Sequence, residues 1–162
     1  MMFSKLAARR RGFTLIEMLI VIVVIAILAL IVIPRIMGAA RRAKESTLRG
    51  NLHQIRTAIG HFEADCGCFP ASLDDLLVAA ADEPATGVDA AGAEVDIPTG
   101  SYEGPYLTAA GGIGGTGMPI NPFMTDPDKR DDVDEHWTYA NGIVTAAVPE
   151  GTALDGTPYN EL

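Results

Sequence analysis

Residues 18–33 contain no polar side chain, and the chain beyond Arg56 contains almost no positive charge. From residue 57 to residue 162 only Lys129 and Arg130 are basic, against nineteen acidic side chains. A surface that acidic repels nucleic acid and anionic lipid, which argues against a DNA-binding role for this part. Histidines are scarce, at 53, 61 and 136, and the four serines, at 4, 46, 72 and 101, sit in no nucleophile motif. No cofactor fingerprint is present. The chain is therefore expected not to be an enzyme. Cys66 and Cys68 are the only cysteines. A bridge between residues two apart would close a small, strained ring. Structural thiols and a bridge stiffening the turn both stay open, and a redox role or metal binding by a lone C-x-C is only weakly signalled.

What the chain does have is the apolar run itself. With residues 13–17 added, it extends over 21 residues before Pro34. As a helix that is about 30 Å, the thickness of a bilayer's hydrocarbon core. It holds one carboxylate, Glu17. A charge near the bilayer centre costs about 2.5–3.5 kcal/mol, so its presence asks for a reason. Lys5, Arg9, Arg10 and Arg11 precede the run, and a basic leader before an apolar segment reads as targeting. The plainer alternative is a soluble exported protein cut after Ala40. The length of the run, its carboxylate and the unbroken helical pattern beyond it count against that. Arg35, Arg41, Arg42 and Lys44 follow the run, so positive charge flanks both sides and does not fix orientation.

The stretch Arg11-Gly12-Phe13-Thr14-Leu15-Ile16-Glu17-Met18 resembles the N-terminal signature of type IV pilins and type II secretion pseudopilins. The resemblance joins a basic leader, a glycine before an aromatic, a glutamate shortly after it, and a proline near the end of the apolar run. It covers about residues 9–65 and is weaker beyond. It implies cleavage between Gly12 and Phe13 by a prepilin peptidase, then methylation of the Phe13 amine. It also implies a cytoplasmic leader, an inner-membrane span and a periplasmic C-terminal part. Each piece has a physical use. Gly12 leaves the scissile bond unobstructed. Cleavage creates a cation near the bilayer surface, and Glu17 lies four residues on, about 6 Å along a helix. Such a pair is stronger in low dielectric than in water, while an unpaired charge is costly. Packed subunits are therefore expected to bring each Glu17 to a Phe13 amine. The plainer reading is that Glu17 only snorkels to the interface.

Pro34 has no N–H for the carbonyl of Leu30, and Gly38 follows with poor helix propensity. Together they predict a kink, or a point that bends or melts when the helix leaves the bilayer. Beyond it Leu48, Leu52, Ile55, Ile59 and Phe62 step by four and three, one stripe of an amphipathic helix. One helix over 13–65, bent near Pro34, is expected, with His53 and His61 as exposed helix residues. The chain divides into a leader (1–12), a membrane half (13–34), an amphipathic half (35–65) and a small α/β head (66–162).

Within that head, Gly67 and Pro70 end the helix and Ser72 caps a short one. Residues 79–100 read as a variable loop with a short strand at 94–97, and residues 102–108 as a strand or extended edge. The glycine-rich 111–117 lacks the Lys-Ser/Thr of a phosphate loop and reads as a flexible surface loop. Residues 118–123 are extended and proline-rich. Two β-prone runs flank Asn141-Gly142, a signal for a hairpin with a type I′ turn. Trp137 and Tyr139 share one face, expected to cover the helix stripe. Acidic residues crowd 126–135. A solvated loop is one reading. A calcium site with Asp131, Asp132 and Asp134 as candidates is the other, although Arg130 and Asp131 break the EF-hand pattern.

The expected fold is α+β and pilin-like, a long N-terminal α-helix packed on a small antiparallel β-sheet. The expected function is a structural subunit of a filament, a type II secretion pseudopilin resembling the major G-type subunit. A type IV pilin for adhesion or motility is the alternative, and a non-polymerising, membrane-tethered binding module the second. The resemblance implies further copies of the chain as partners, joined through their N-terminal helices. It also implies the prepilin peptidase, an inner-membrane assembly platform and minor pseudopilins.

Overall fold

A computed structural model describes residues 13–108, 112–113, 116–124, 132–147 and 152–162, with the backbone alone at residue 37. Its dominant element is helix α1, Leu15–Cys66, 52 residues long. The helix runs through Pro34, which costs it one backbone hydrogen bond. It ends where Gly67 takes a φ of 73° and donates its N–H to the carbonyl of Glu63 at 2.9 Å. Contacts divide the chain into two compact units, residues up to 41 and residues 42–162.

The first unit has no core of its own among the described residues. Leu15, Ile25 and Leu30 are exposed by 84, 57 and 75%. This part of α1 is long and apolar enough to cross a membrane, and none of its most apolar window is buried.

The second unit is built on the apolar stripe. Leu48, Leu52, Ile55, Ile59 and Phe62 are all buried, with Ala58 and Cys66 beside them. Burying each large apolar side chain is worth roughly 1.5–3 kcal/mol, so this half of α1 is held by packing. The same core takes in Leu73, Leu76, Ile97, Leu107, Ile113, Met118, Trp137 and Val144.

Two antiparallel ladders lie against it rather than one sheet. Strands β1 (Phe69–Pro70), β2 (Thr86–Val88) and β3 (Glu94–Asp96) form the first, in that order. A Cβ at Gly87 would stand 2.5 Å from Cys68 Sγ, so only glycine lets β2 approach there. A four-residue helix α2, Val133–His136, leads into β4 (Trp137–Ala140), which pairs with β5 (Ile143–Ala146). Asn141 and Gly142 have φ of 49° and 82°, the double positive that a type I′ turn requires. Trp137 is buried and Tyr139 half-buried, on the face that joins the helix stripe in one core.

Three expectations need correcting. Residues 79–100 carry the expected short strand as β3, but β2 pairs with it where loop was expected, and Asp89 closes the turn between them, its Oδ1 accepting from the N–H groups of Ala91 and Ala93, both at 2.8 Å. Residues 102–108 form no strand. Tyr102 and Leu107 are buried as anchors of irregular chain instead. The described part of the glycine-rich stretch is packed rather than free. Ile113 and Met118 are core residues, and Ile113 N–H donates to the Met118 carbonyl at 2.8 Å. Gly112 has a φ of 88°, and a Cβ there would meet that carbonyl.

Candidate functional site

The signature residues lie at the N-terminal end of α1. Thr14 N–H donates to Glu17 Oε2 at 3.4 Å, and Glu17 N–H donates to Thr14 Oγ1 at 3.2 Å. This is a reciprocal capping box, which satisfies two donors the helix end would leave open. It also sets a carboxylate at the positive end of the helix dipole. Phe13 stands just before the box and is 76% exposed. Gly12, and with it the proposed scissile bond, lies outside the described residues. The Thr-x-x-Glu spacing was there to be read from the sequence, hidden because Glu17 looked like an intruder in an apolar run. Pro34 and Gly38 lie further along the same helix, both exposed.

Residues 42–162 hold the remaining candidates. His53 and His61 are exposed on α1, as expected. His136 is fully buried, and its Nδ1 accepts from the N–H of Asn121 at 3.2 Å. The Asn121 side chain is buried too. It donates to the carbonyls of His136 at 3.1 Å and Ala147 at 3.3 Å, and accepts from Phe123 N–H at 3.0 Å. This polar lock ties residues 118–124 to the hairpin, and nothing in the sequence announced it. Phe62, Tyr102 and Tyr106 pack edge to face, with centroids 5.2–5.9 Å apart. Tyr106 donates to Asp65 Oδ2 at 2.7 Å, and burial first, then this hydrogen bond, makes its hydroxyl harder to ionise than an ordinary tyrosine's.

Cys66 and Cys68 are unbridged, buried thiols. Burial pushes both up from the ordinary thiol value. Asp132 and Asp134 are exposed, and Asp132 Oδ1 accepts from Asp134 N–H at 3.1 Å, capping α2. Asp131 lies outside the described residues. Among the described residues no group of three ligating side chains converges to hold a metal ion.

Comparison with known proteins falls on the same end of the helix. Residues 7–33 match the family described as the prokaryotic N-terminal methylation motif. The core protein G of the type II secretion system of Dickeya chrysanthemi is 26% identical over 142 residues, 83% of this chain and 90% of that one. The type IV wide pilus major component of Thermus thermophilus is 31% identical over 142 residues, 86% of this chain and 95% of that one. The chain belongs to the type IV pilin and pseudopilin family. Against the core protein G of Pseudomonas aeruginosa it is 32% identical over 68 residues, 42% of this chain, and spans about half (48%) of that relative's length. No solved structure matches. As a member of the pilin and pseudopilin family the chain is a structural filament subunit. Its exposed apolar helix suits a membrane anchor.

Proposed function

We propose that this chain is the subunit of a type II secretion pseudopilus, similar to its core protein G. One observation carries the reading: Glu17 is a lone carboxylate that caps an exposed apolar helix, a few residues behind a Gly-Phe bond. In this reading a prepilin peptidase cuts between Gly12 and Phe13, and the new Phe13 amine is methylated. The cut leaves a cation beside a helix N-terminus, which repels it. Glu17 offsets that repulsion. A carboxylate has about four acceptor sites. Glu17 can thus keep the N–H of Thr14 and still receive the amine of a neighbouring copy. That pairing sets the register between copies, while the apolar side chains pass from lipid to one another. Pro34 and Gly38 supply the weak point at which the helix bends during that passage. The leader lies in the cytoplasm and residues 42–162 in the periplasm of a single-pass inner-membrane protein. The assembly platform and the minor pseudopilins act on this chain, which itself performs no reaction. Calcium enters the proposal only through Asp131, Asp132 and Asp134. It would need a melting temperature that rises with calcium and falls with chelator.

The test is Glu17→Gln. It is expected to leave insertion and cleavage intact and to abolish sheared filaments. Normal filament yield from the variant overturns the reading. A type IV pilin is the second reading, favoured by the near full-length match to the Thermus pilus component. Deleting the gene separates the two: a pseudopilin loses protein export to the medium, a pilin loses surface fibres.

A further inference from the structure

The turn between β4 and β5 is a reactive sequence held in an unreactive geometry. Asn141 is exposed at its tip, and Gly142 follows. An asparagine is chemically labile when the next backbone nitrogen reaches its side-chain amide carbon and closes a succinimide ring. That nitrogen must first give up its proton. Glycine obstructs the approach least, because it has no Cβ. In an unfolded chain nothing restrains this pair, and at an exposed tip water is at hand for the hydrolysis that completes the reaction.

The fold restrains it in two ways. Gly142 N–H donates to the Tyr139 hydroxyl oxygen at 3.2 Å, and that hydroxyl donates its own proton to the Pro70 carbonyl at 2.7 Å. A hydroxyl has one proton to give and two lone pairs, so Tyr139 makes both bonds at once. Burial keeps the hydroxyl protonated, so it holds the Gly142 N–H without acting as a base toward it. The turn itself is the second restraint. Asn141 and Gly142 have φ of 49° and 82°, and Ala140 pairs with Ile143 on either side of them. The Asn141 amide lies against Gly92, in the turn between β2 and β3, where a Cβ would stand 2.9 Å from Oδ1. Ring closure has to undo the Tyr139 contact and turn the peptide out of this conformation.

We propose that Asn141 is a deamidation site of this protein, and that the Tyr139 hydroxyl sets its rate by withholding the Gly142 nitrogen. Hydroxide takes the Gly142 N–H proton, and the nitrogen bonds to Asn141 Cγ. The Cγ–Nδ2 bond breaks, and ammonia leaves with a proton from water. Water then opens the succinimide at either carbonyl, giving aspartate or isoaspartate. No electron is gained or lost. Aspartate places a new negative charge against Gly92, in the turn that Asp89 closes. Isoaspartate routes the main chain through Cβ and lengthens it. A tight type I′ turn cannot absorb that without disturbing the register of β4 on β5. The inference does not depend on the filament reading.

The test is incubation of the detergent-solubilised chain in mildly alkaline buffer. The peptide holding Asn141 is followed by mass spectrometry, and isoaspartate by enzymatic methyl labelling. The folded chain should convert more slowly than the same chain in urea. Tyr139→Phe should convert about fivefold faster than the unsubstituted protein, the size of one lost hydrogen bond. Hydrogen exchange at the Gly142 amide should rise with it, while the other amides of β4 and β5 keep their protection. Tyr159→Phe removes a hydroxyl from a different contact and controls for a general loss of stability. Equal rates in the folded chain and in urea overturn the proposal, as does no conversion in urea. An unchanged rate in Tyr139→Phe, or an equal acceleration by Tyr159→Phe, overturns it too.

Discussion

The hydroxyl of Tyr159 donates a hydrogen bond to Glu45 Oε1 at 3.0 Å, joining residues 114 positions apart in a buried site. Glu45 Oε2 accepts from the N–H of Leu154 at 3.1 Å. A carboxylate on the helix thus anchors residues 152–162. Hydrogen bonds to charged groups are worth about 1.5–3 kcal/mol. Tyr159→Phe, which keeps the ring against Phe123, should lose about that much in urea unfolding of the detergent-solubilised chain. A loss well below it would show that packing alone holds this segment.

Gly142 should tolerate no side chain. Its φ is 82°, and a Cβ would stand 2.6 Å from the ring of Phe69. The left-handed backbone alone costs a residue with a Cβ about 1–2 kcal/mol, and the clash adds to it. Gly142→Ala is expected to lower the melting temperature by several degrees. Gly50→Ala, on open helix surface, should raise it slightly through a helix-propensity gain of up to about 1 kcal/mol.

High pH should unfold residues 42–162 through their tyrosines. The Tyr139 hydroxyl donates to the Pro70 carbonyl at 2.7 Å, and burial, the largest cause, pushes it up to about 12. Burial likewise pushes Tyr102 up to about 12, with Asp75 and Cys66 adding to it. The folded state holds these protons more tightly than the unfolded chain does. Their stabilisation is complete below the ordinary value of 10 and drains away as pH rises toward 12. Melting temperature should therefore stay flat to about pH 10 and fall above it. Tyr139→Phe should make that fall shallower.

Cys66 and Cys68 should resist alkylation in the folded protein and react at once in denaturant. Both are buried, and burial keeps them protonated. Mass spectrometry after denaturing alkylation without reductant should find both thiols modified. An unmodified mass would mean a bridge instead.

Features carried by local chemistry were the legible ones. The stripe of Leu48, Leu52, Ile55, Ile59 and Phe62 declared its buried face by spacing alone, and Asn141-Gly142 declared its turn. Partners distant in sequence left no such mark. Strand β2 is Thr86, Gly87 and Val88, too short to alternate, and it exists because Phe69 and Val95 flank it in space. Asn121 reads as a loop residue until three segments converge on its amide. At the helix start the chemistry was local, but Glu17 drew attention as a charge in oil rather than as the partner of Thr14.

Helix α1 obliges the cell to perform a handover. Residues 18–33 offer no side chain that water can wet, and no fold of their own shelters them. On the proposed reading, every molecule has to be passed from one greasy surrounding to another without an aqueous pause. A copy dropped on the way becomes a seed for clumping. Production of this protein should thus be limited by how quickly its neighbours take it up, more than by how fast it is made.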